Sequence, residues 1–99
     1  MGNTVIVDIE VLPGTGEDAY AVVERAIGVI EASGLRYEVG PMGTTVEGDL
    51  ESCLEVAKAA HRACFVEGVE RVVSIIKIGE SRTGTTIDGL VSKFREEAR

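Results

Sequence analysis

The chain has 99 residues, of which 44% are hydrophobic and 27% are charged, and its formal net charge is -7 at pH 7. This length and composition predict one globular domain over residues 1–99, at a size where assembly often adds stability. The acidic balance argues against a nucleic-acid partner, because a phosphate backbone requires a basic surface. It is compatible with a cationic small-molecule ligand, and equally with surface charge that only maintains solubility.

The start of the chain and the two cysteines indicate the expected cellular compartment. Neither a cationic leader nor a long apolar run is present, so we expect a cytoplasmic protein without a membrane span. Cys53 and Cys64 fall in one predicted helix, separated by a rise of about 16 Å. That distance is beyond disulfide reach, so we expect reduced thiols. No His or third Cys stands at metal-ligand spacing beside them, and no metal site or cofactor is predicted.

The first half of the chain predicts a strand, a helix and two further strands. Residues 4–12 alternate between apolar and polar side chains, which is typical of a half-buried strand. A turn over 13–16 leads into an amphipathic helix that ends at Gly34, placed as a left-handed C-cap. Residues 35–39 alternate again, and a turn containing Pro and Gly leads to a third strand over 43–47.

The second half predicts a helix, a strand and a terminal helix. Asp49 stands as the N-cap of a helix from about residue 50 to residue 67. We expect its apolar stripe to consist of Leu54, Ala57, His61, Cys64 and Phe65. Residues 71–78 form the most apolar strand. A polar loop over 81–86 precedes a short amphipathic helix; Thr86 is its predicted N-cap, although the loop could instead cover a ligand.

This element order is β-α-β-β-α-β with an additional C-terminal helix. Two right-handed crossovers around a central hairpin predict an α+β fold, the ferredoxin-like sandwich. Its antiparallel sheet has the strand order 4-1-3-2, and both main helices lie on one face of the sheet. The fold by itself does not specify an activity.

The second face of the sheet is expected to remain uncovered. It carries Ile6, Asp8, Glu10, Arg36, Glu38, Thr45, Glu47, Val73, Ile75 and Lys77. In one interpretation the charged residues are ordinary cross-strand pairs on a solvated or dimeric face. In the other, carboxylates and hydroxyls line a recess at a subunit boundary and select a polar cationic ligand. Asp8, Glu10, Thr45 and Glu47 should lie close together, because the first and third strands are neighbours in the centre of the sheet.

Four segments, 13–16, 33–38, 41–49 and 70–78, resemble the thiamine-binding protein family of small ferredoxin-like domains, long described as uncharacterised. The most specific part is the run Met-Gly-Thr-Thr-Val-Glu-Gly-Asp. The resemblance spans essentially the whole chain and weakens after Arg82. It implies assembly into dimers or tetramers through sheet faces, and binding of thiamine or its hydroxymethylpyrimidine moiety without known catalysis.

The resemblance and the open sheet face together predict a ligand site. Its residues are Glu10, Thr15, Thr44, Thr45, Glu47 and Lys77. A carboxylate such as Glu47 can accept a hydrogen bond from the exocyclic amine of thiamine, while hydroxyls fix its orientation. The first loop is one residue shorter than the family's usual Pro-x-Gly-Thr. Glu10 replaces a small polar residue that is more familiar there, so the charge of the pocket is expected to differ.

Two other sites are less well supported. Gly14-Thr15-Gly16 precedes a helix and could bind phosphate, but Glu17 and Asp18 already occupy the positive end of that helix. His61 is better interpreted as a hydrogen-bonded core residue than as a general base. We therefore predict a non-enzymatic homo-oligomer that binds thiamine or a related pyrimidine. The alternative is a small-molecule-sensing or scaffold module that binds another ligand, or only itself, through the same face. A hydrolase is a third and less favoured hypothesis.

Overall fold

The computed structural model describes residues 3–14 and 18–97. Its elements are β1 (Val5–Pro13), α1 (Ala19–Ala32), β2 (Arg36–Val39), β3 (Thr44–Gly48), α2 (Leu50–Ala63), β4 (Val72–Gly79) and α3 (Ile87–Glu97). The strands form one antiparallel sheet in the order β2-β3-β1-β4. Counted from the opposite edge this is the predicted order 4-1-3-2, so the ferredoxin-like fold is confirmed. Within the described part, no helix combines the length and apolarity needed to cross a membrane.

The helix boundaries follow local capping chemistry. Asp49 accepts a hydrogen bond from the backbone N–H of Ser52 at 3.0 Å, which confirms it as the N-cap of α2. Gly34 follows α1 with φ of 81°, in the left-handed region that favours glycine. The predicted extension of α2 to residue 67 was wrong. The helix ends at Ala63, and a tight turn at Gly68, with φ of 91°, lets Val69 turn back into the core.

The core lies between the sheet and the two main helices. Val5, Val7 and Ile9 of β1 are buried against α1 and α2, as the alternation predicted. The predicted apolar stripe of α2 was partly wrong. Its members Leu54 and Phe65 are 38% and 50% exposed.

α2 instead presents small side chains to the sheet. The fully buried positions facing the core are Cys53, Ala57, Ala60 and Cys64. Small residues let a helix pack closely against a sheet, so shape complementarity outweighs the larger hydrophobicity of Leu and Phe. Both cysteines are free thiols, as expected from their spacing. His61 is half-buried, and its Nδ1 lies 2.6 Å from the Ser74 hydroxyl, which fits the structural interpretation of this residue.

The second sheet face is not wholly uncovered, and this corrects the expectation from the sequence. The N-terminus of α3 lies on it, where Ile87 is 4% exposed. Thr86 caps this helix by accepting from the Gly89 N–H at 2.9 Å, so the capping role of the preceding loop is confirmed. Below, this surface is called the open face: the side of the sheet opposite α1 and α2.

Candidate functional site

A row of polar side chains crosses the open face. In the strand register Asp8 of β1 stands opposite Thr45 of β3 and opposite Lys77 of β4. Thr45 in turn stands opposite Glu38 of β2. Because residues that face each other in an antiparallel sheet project to the same side, these four lie in one line across the sheet. The Thr45 hydroxyl therefore has one carboxylate on each side, that of Asp8 and that of Glu38.

A cavity of about 270 Å³, called here the open-face cavity, lies above this row. Its polar wall consists of Asp8, Glu38 and Thr45, and the Thr45 hydroxyl donates to Asp8 Oδ1 at 3.1 Å. The remaining lining residues are Ile6, Gly40, Pro41, Met42, Gly43, Ile87, Leu90 and Val91. The cavity therefore combines mainly apolar walls with an acidic floor, the arrangement that ligand pockets commonly show.

No positive side chain lines this cavity within the described residues. Arg36 is held elsewhere, by Asp88 at 2.8 Å and by Glu47 at 3.9 Å. Lys77 stands next to Asp8 in the register, but among the described residues Asp8 forms no ion pair within 4.0 Å. Within the described residues, the charge of the Asp8 carboxylate is thus not neutralised by a direct contact with a cationic side chain.

In the Met-Gly-Thr segment, the glycine at position 43 has a steric role. A Cβ atom there would lie 3.1 Å from Asp8 Oδ2 and 3.1 Å from the carbonyl oxygen of Ile9. A side chain at position 43 would have to displace these oxygen atoms slightly, so glycine favours the close approach of the turn between β2 and β3 to the Asp8 carboxylate. The segment therefore shapes the cavity through its backbone.

The predicted site residue Glu47 lies on the open face but does not line the cavity. Its carboxylate accepts a hydrogen bond from the Ile87 N–H at 2.8 Å, at the positive end of α3. Its side chain is only 19% exposed. Glu47 therefore holds the helix that supplies Ile87, Leu90 and Val91 to the wall.

The other predicted residues are not brought together at one place. Thr45 lines the open-face cavity, whereas its neighbour Thr44 faces α1 and α2 and lines a second cavity. Glu10 belongs to the open-face register opposite Ile75, and it borders that second cavity rather than the first. Lys77 is exposed and lines neither cavity. Thr15 lies outside the described residues.

Asp8 and Glu38 were not among the predicted ligand residues, although both were assigned to the open face. The signal that could have selected Asp8 is its position, a carboxylate in the middle of the central strand and opposite a threonine. The contribution of α3 had no comparable signal, because nothing local in the sequence indicates where a terminal helix docks.

Taken together, the topology and the open-face cavity define a small ferredoxin-like domain with a candidate small-molecule site. The family model described as "Thiamine-binding protein" matches residues 7–95. The chain belongs to this family, as its resemblance indicated.

Relatives and solved structures agree with this assignment. A UPF0045 protein of Clostridium perfringens is 40% identical over 94 residues, covering 94% of this chain and 99% of the relative. A Bacillus cereus structure described as a DUF77 domain of unknown function has a TM-score of 0.90 at 45% identity, covering 98% of this chain and 95% of that one. A Thermotoga maritima structure, named as a candidate thiamine biosynthesis/salvage protein, has a TM-score of 0.85 at 36% identity, covering 93% of this chain and 99% of that one.

Proposed function

We propose that this protein binds thiamine or its hydroxymethylpyrimidine moiety without transforming it, at the open-face cavity. The observation that carries this proposal is the half-buried Asp8 carboxylate, which lies in a largely apolar cavity and forms no ion pair among the described residues. A carboxylate in such surroundings is stabilised by an opposite charge. Thiamine supplies one, because its thiazolium ring is permanently cationic.

The polar groups of the cavity suit the second ring of thiamine as well. An ionised carboxylate has about four acceptor positions, and Thr45 uses one of those on Asp8. The remaining positions can accept from the exocyclic amine of the pyrimidine. The Thr45 oxygen can accept a further hydrogen bond, and Met42, Leu90 and Val91 offer apolar contact to the ring faces.

A homo-oligomer that packs open face on open face would complete this site. The cavity volume of about 270 Å³ is slightly below the 300–1,000 Å³ that is typical of ligand pockets, so a wall from a second copy would enclose the ligand further. Apolar side chains of β4 and α3 are exposed in a single chain: Val73, Ile75, Leu90 and Phe94. Burying such a patch is a common reason for self-association.

The proposal assigns different roles to the other predicted residues. Glu47 positions α3 through Ile87 and thereby maintains the cavity wall. Lys77 is proposed to moderate the acidic charge around Asp8 from the neighbouring strand. Glu10 is proposed to add negative charge to the same face of the sheet. A binding role without catalysis is supported by the description of the matching family model, which names thiamine binding and no reaction.

Isothermal titration of thiamine into Asp8→Asn tests the site. Asparagine keeps the size of the side chain and removes the charge, so we expect binding about 10- to 100-fold weaker, as for loss of a hydrogen bond to a charged group. Glu67→Gln is the matched control, because it removes one exposed negative charge that has no ion pair among the described residues. Equal thiamine affinity in both variants would refute the role of Asp8.

Sedimentation velocity tests the assembly separately. We expect the thiamine-bound wild-type protein to sediment as a dimer or tetramer. A monomer that is saturated with thiamine would refute binding at a subunit interface. An oligomer that does not bind thiamine would favour the alternative function, a sensing or scaffold module that uses the same face.

A further inference from the structure

The face of the sheet opposite the open-face cavity contains a larger cavity, of about 460 Å³. We call it the helix-face cavity. It lies between α1, the end of β1 and the turn that joins β2 to β3. Its walls are mainly apolar, with Ile9, Val11, Val23, Ile27, Val39 and Met42 among them. This volume and lining fall in the usual range for small-molecule sites.

One buried polar side chain borders this cavity without a partner. Thr44 is 4% exposed, and no hydrogen bond to its hydroxyl is present in the described part of the chain. The hydroxyl oxygen is nevertheless not enclosed on all sides by protein atoms, which places it at the surface of the cavity that Thr44 lines. This hydroxyl is therefore available to form a hydrogen bond with a ligand that enters the cavity.

The edge of β1 offers a second set of polar groups at the same place. Its ladder with β3 ends at the pair Ile9 and Thr44, whereas its ladder with β4 continues to Pro13. Over residues 10–12, β1 therefore has a free edge on the side of β3. The backbone N–H and C=O groups that point to this edge have no ladder partner among the described strands. Residues 10–12 also line the helix-face cavity. A free strand edge presents an N–H and a C=O of the same residue side by side.

We propose that the helix-face cavity is a second ligand site, for an uncharged, flat aromatic molecule with an adjacent hydrogen-bond donor and acceptor, such as an aromatic carboxamide. The donor and the acceptor pair with the free edge of β1 in the manner of an added strand. The Thr44 hydroxyl supplies a further hydrogen bond, and the apolar walls contact the two faces of the ring. This site lies on the other face of the sheet from the proposed thiamine site, because Thr44 and Thr45 project from opposite faces of β3. The two cavities share the turn 40–43 as a wall.

NMR titration with benzamide, an uncharged aromatic carboxamide, tests this proposal. We expect the amide resonances of Val11, Leu12 and Thr44 to shift, with smaller changes at Asp8 and Thr45. Methyl benzoate, which keeps the acceptor but has no N–H donor, should bind more weakly. Absence of shifts at the helix-face cavity, or equal binding of the two compounds, would overturn the proposal.

Two variants separate the two sites. Thr44→Val removes the hydroxyl and keeps the shape, so we expect benzamide binding to weaken up to about tenfold while thiamine binding is unchanged. Thr44→Ser should restore benzamide binding. Thr45→Val is the matched control and should leave benzamide binding unchanged. Equal benzamide affinity in Thr44→Val and Thr45→Val would contradict the role of Thr44.

A measurement on the wild-type protein covers the case in which Thr44→Val does not fold. Intermolecular nuclear Overhauser effects are expected between the benzamide ring and the methyl groups of Val23 and Val39, which both line the cavity. Contacts with Leu90 and Val91 instead would place the compound in the open-face cavity and refute the second site.

Discussion

Replacing Glu47 by alanine is expected to release the N-terminus of α3 from the sheet while the core stays folded. In the wild-type chain Glu47 Oε1 accepts from the Ile87 N–H at 2.8 Å and lies 3.9 Å from Arg36 Nε. Alanine removes both contacts. It also leaves the N–H of a residue that is 4% exposed without its partner at the start of α3.

The size of the effect follows from the geometry. A hydrogen bond to a charged group contributes about 1.5–3 kcal/mol, and the Glu47 side chain is buried enough for this range to apply. The Arg36 contact adds little, because Arg36 is about half exposed and the distance is long. A loss of about 2 kcal/mol in the docking of α3 raises the undocked population roughly 30-fold.

Amide hydrogen exchange measured by NMR detects this change locally. The Leu90 N–H bonds to the Thr86 carbonyl oxygen in the first turn of α3, and its exchange should be about 30-fold faster in Glu47→Ala. Exchange at Val7 in the central strand should change much less. Glu67→Ala is the control for loss of an exposed carboxylate. Equal exchange at Leu90 in the two variants would show that Glu47 does not hold α3.

Two further predictions concern the core. Ile30→Ala removes a fully buried side chain between α1 and the sheet, so unfolding in urea should show a loss of about 2–5 kcal/mol; a loss below about 1 kcal/mol would contradict this packing. Burial raises the pKa of the Cys53 and Cys64 thiols above their ordinary value of 9.0, and for Cys53 the charges of Asp49 and Glu47 add to it. The unfolded chain therefore loses these protons first, so the contribution of the two thiols to the free energy of unfolding should decrease as the pH rises above about 9 and be constant below it. Urea unfolding at about pH 8 and about pH 10 should show a smaller decrease when both cysteines are replaced by alanine, and an equal decrease would refute the assignment to the thiols.

The features that were predictable from the sequence depend on residues close together in the chain. The alternation around Asp8 determines which side chains of β1 face the core. The cap at Asp49 and the glycine at position 34 mark helix ends through bonds and dihedral angles within a few residues. The element order then leaves few topologies, because crossovers are right-handed.

The arrangement of the site was only partly predictable, for a different reason in each case. Thr44 and Thr45 are consecutive and were assigned to one ligand site, but successive side chains of a strand point to opposite faces, so they line different cavities. The orientation of α2 was misjudged because Leu54 has greater hydrophobicity than Cys53, whereas close packing favours the smaller side chain.

The sequence alone thus determined the ferredoxin-like topology, the inward face of the central strand and the membership of a family. The tertiary structure decided that α3 covers part of the open face, that Glu47 binds the backbone of α3, and that Asp8 and Thr45 form the floor of a cavity. The physical reason is the range of the interactions. Alternation and capping act over a few residues, whereas Glu47 and Ile87 are 40 positions apart and meet only after the sheet has formed.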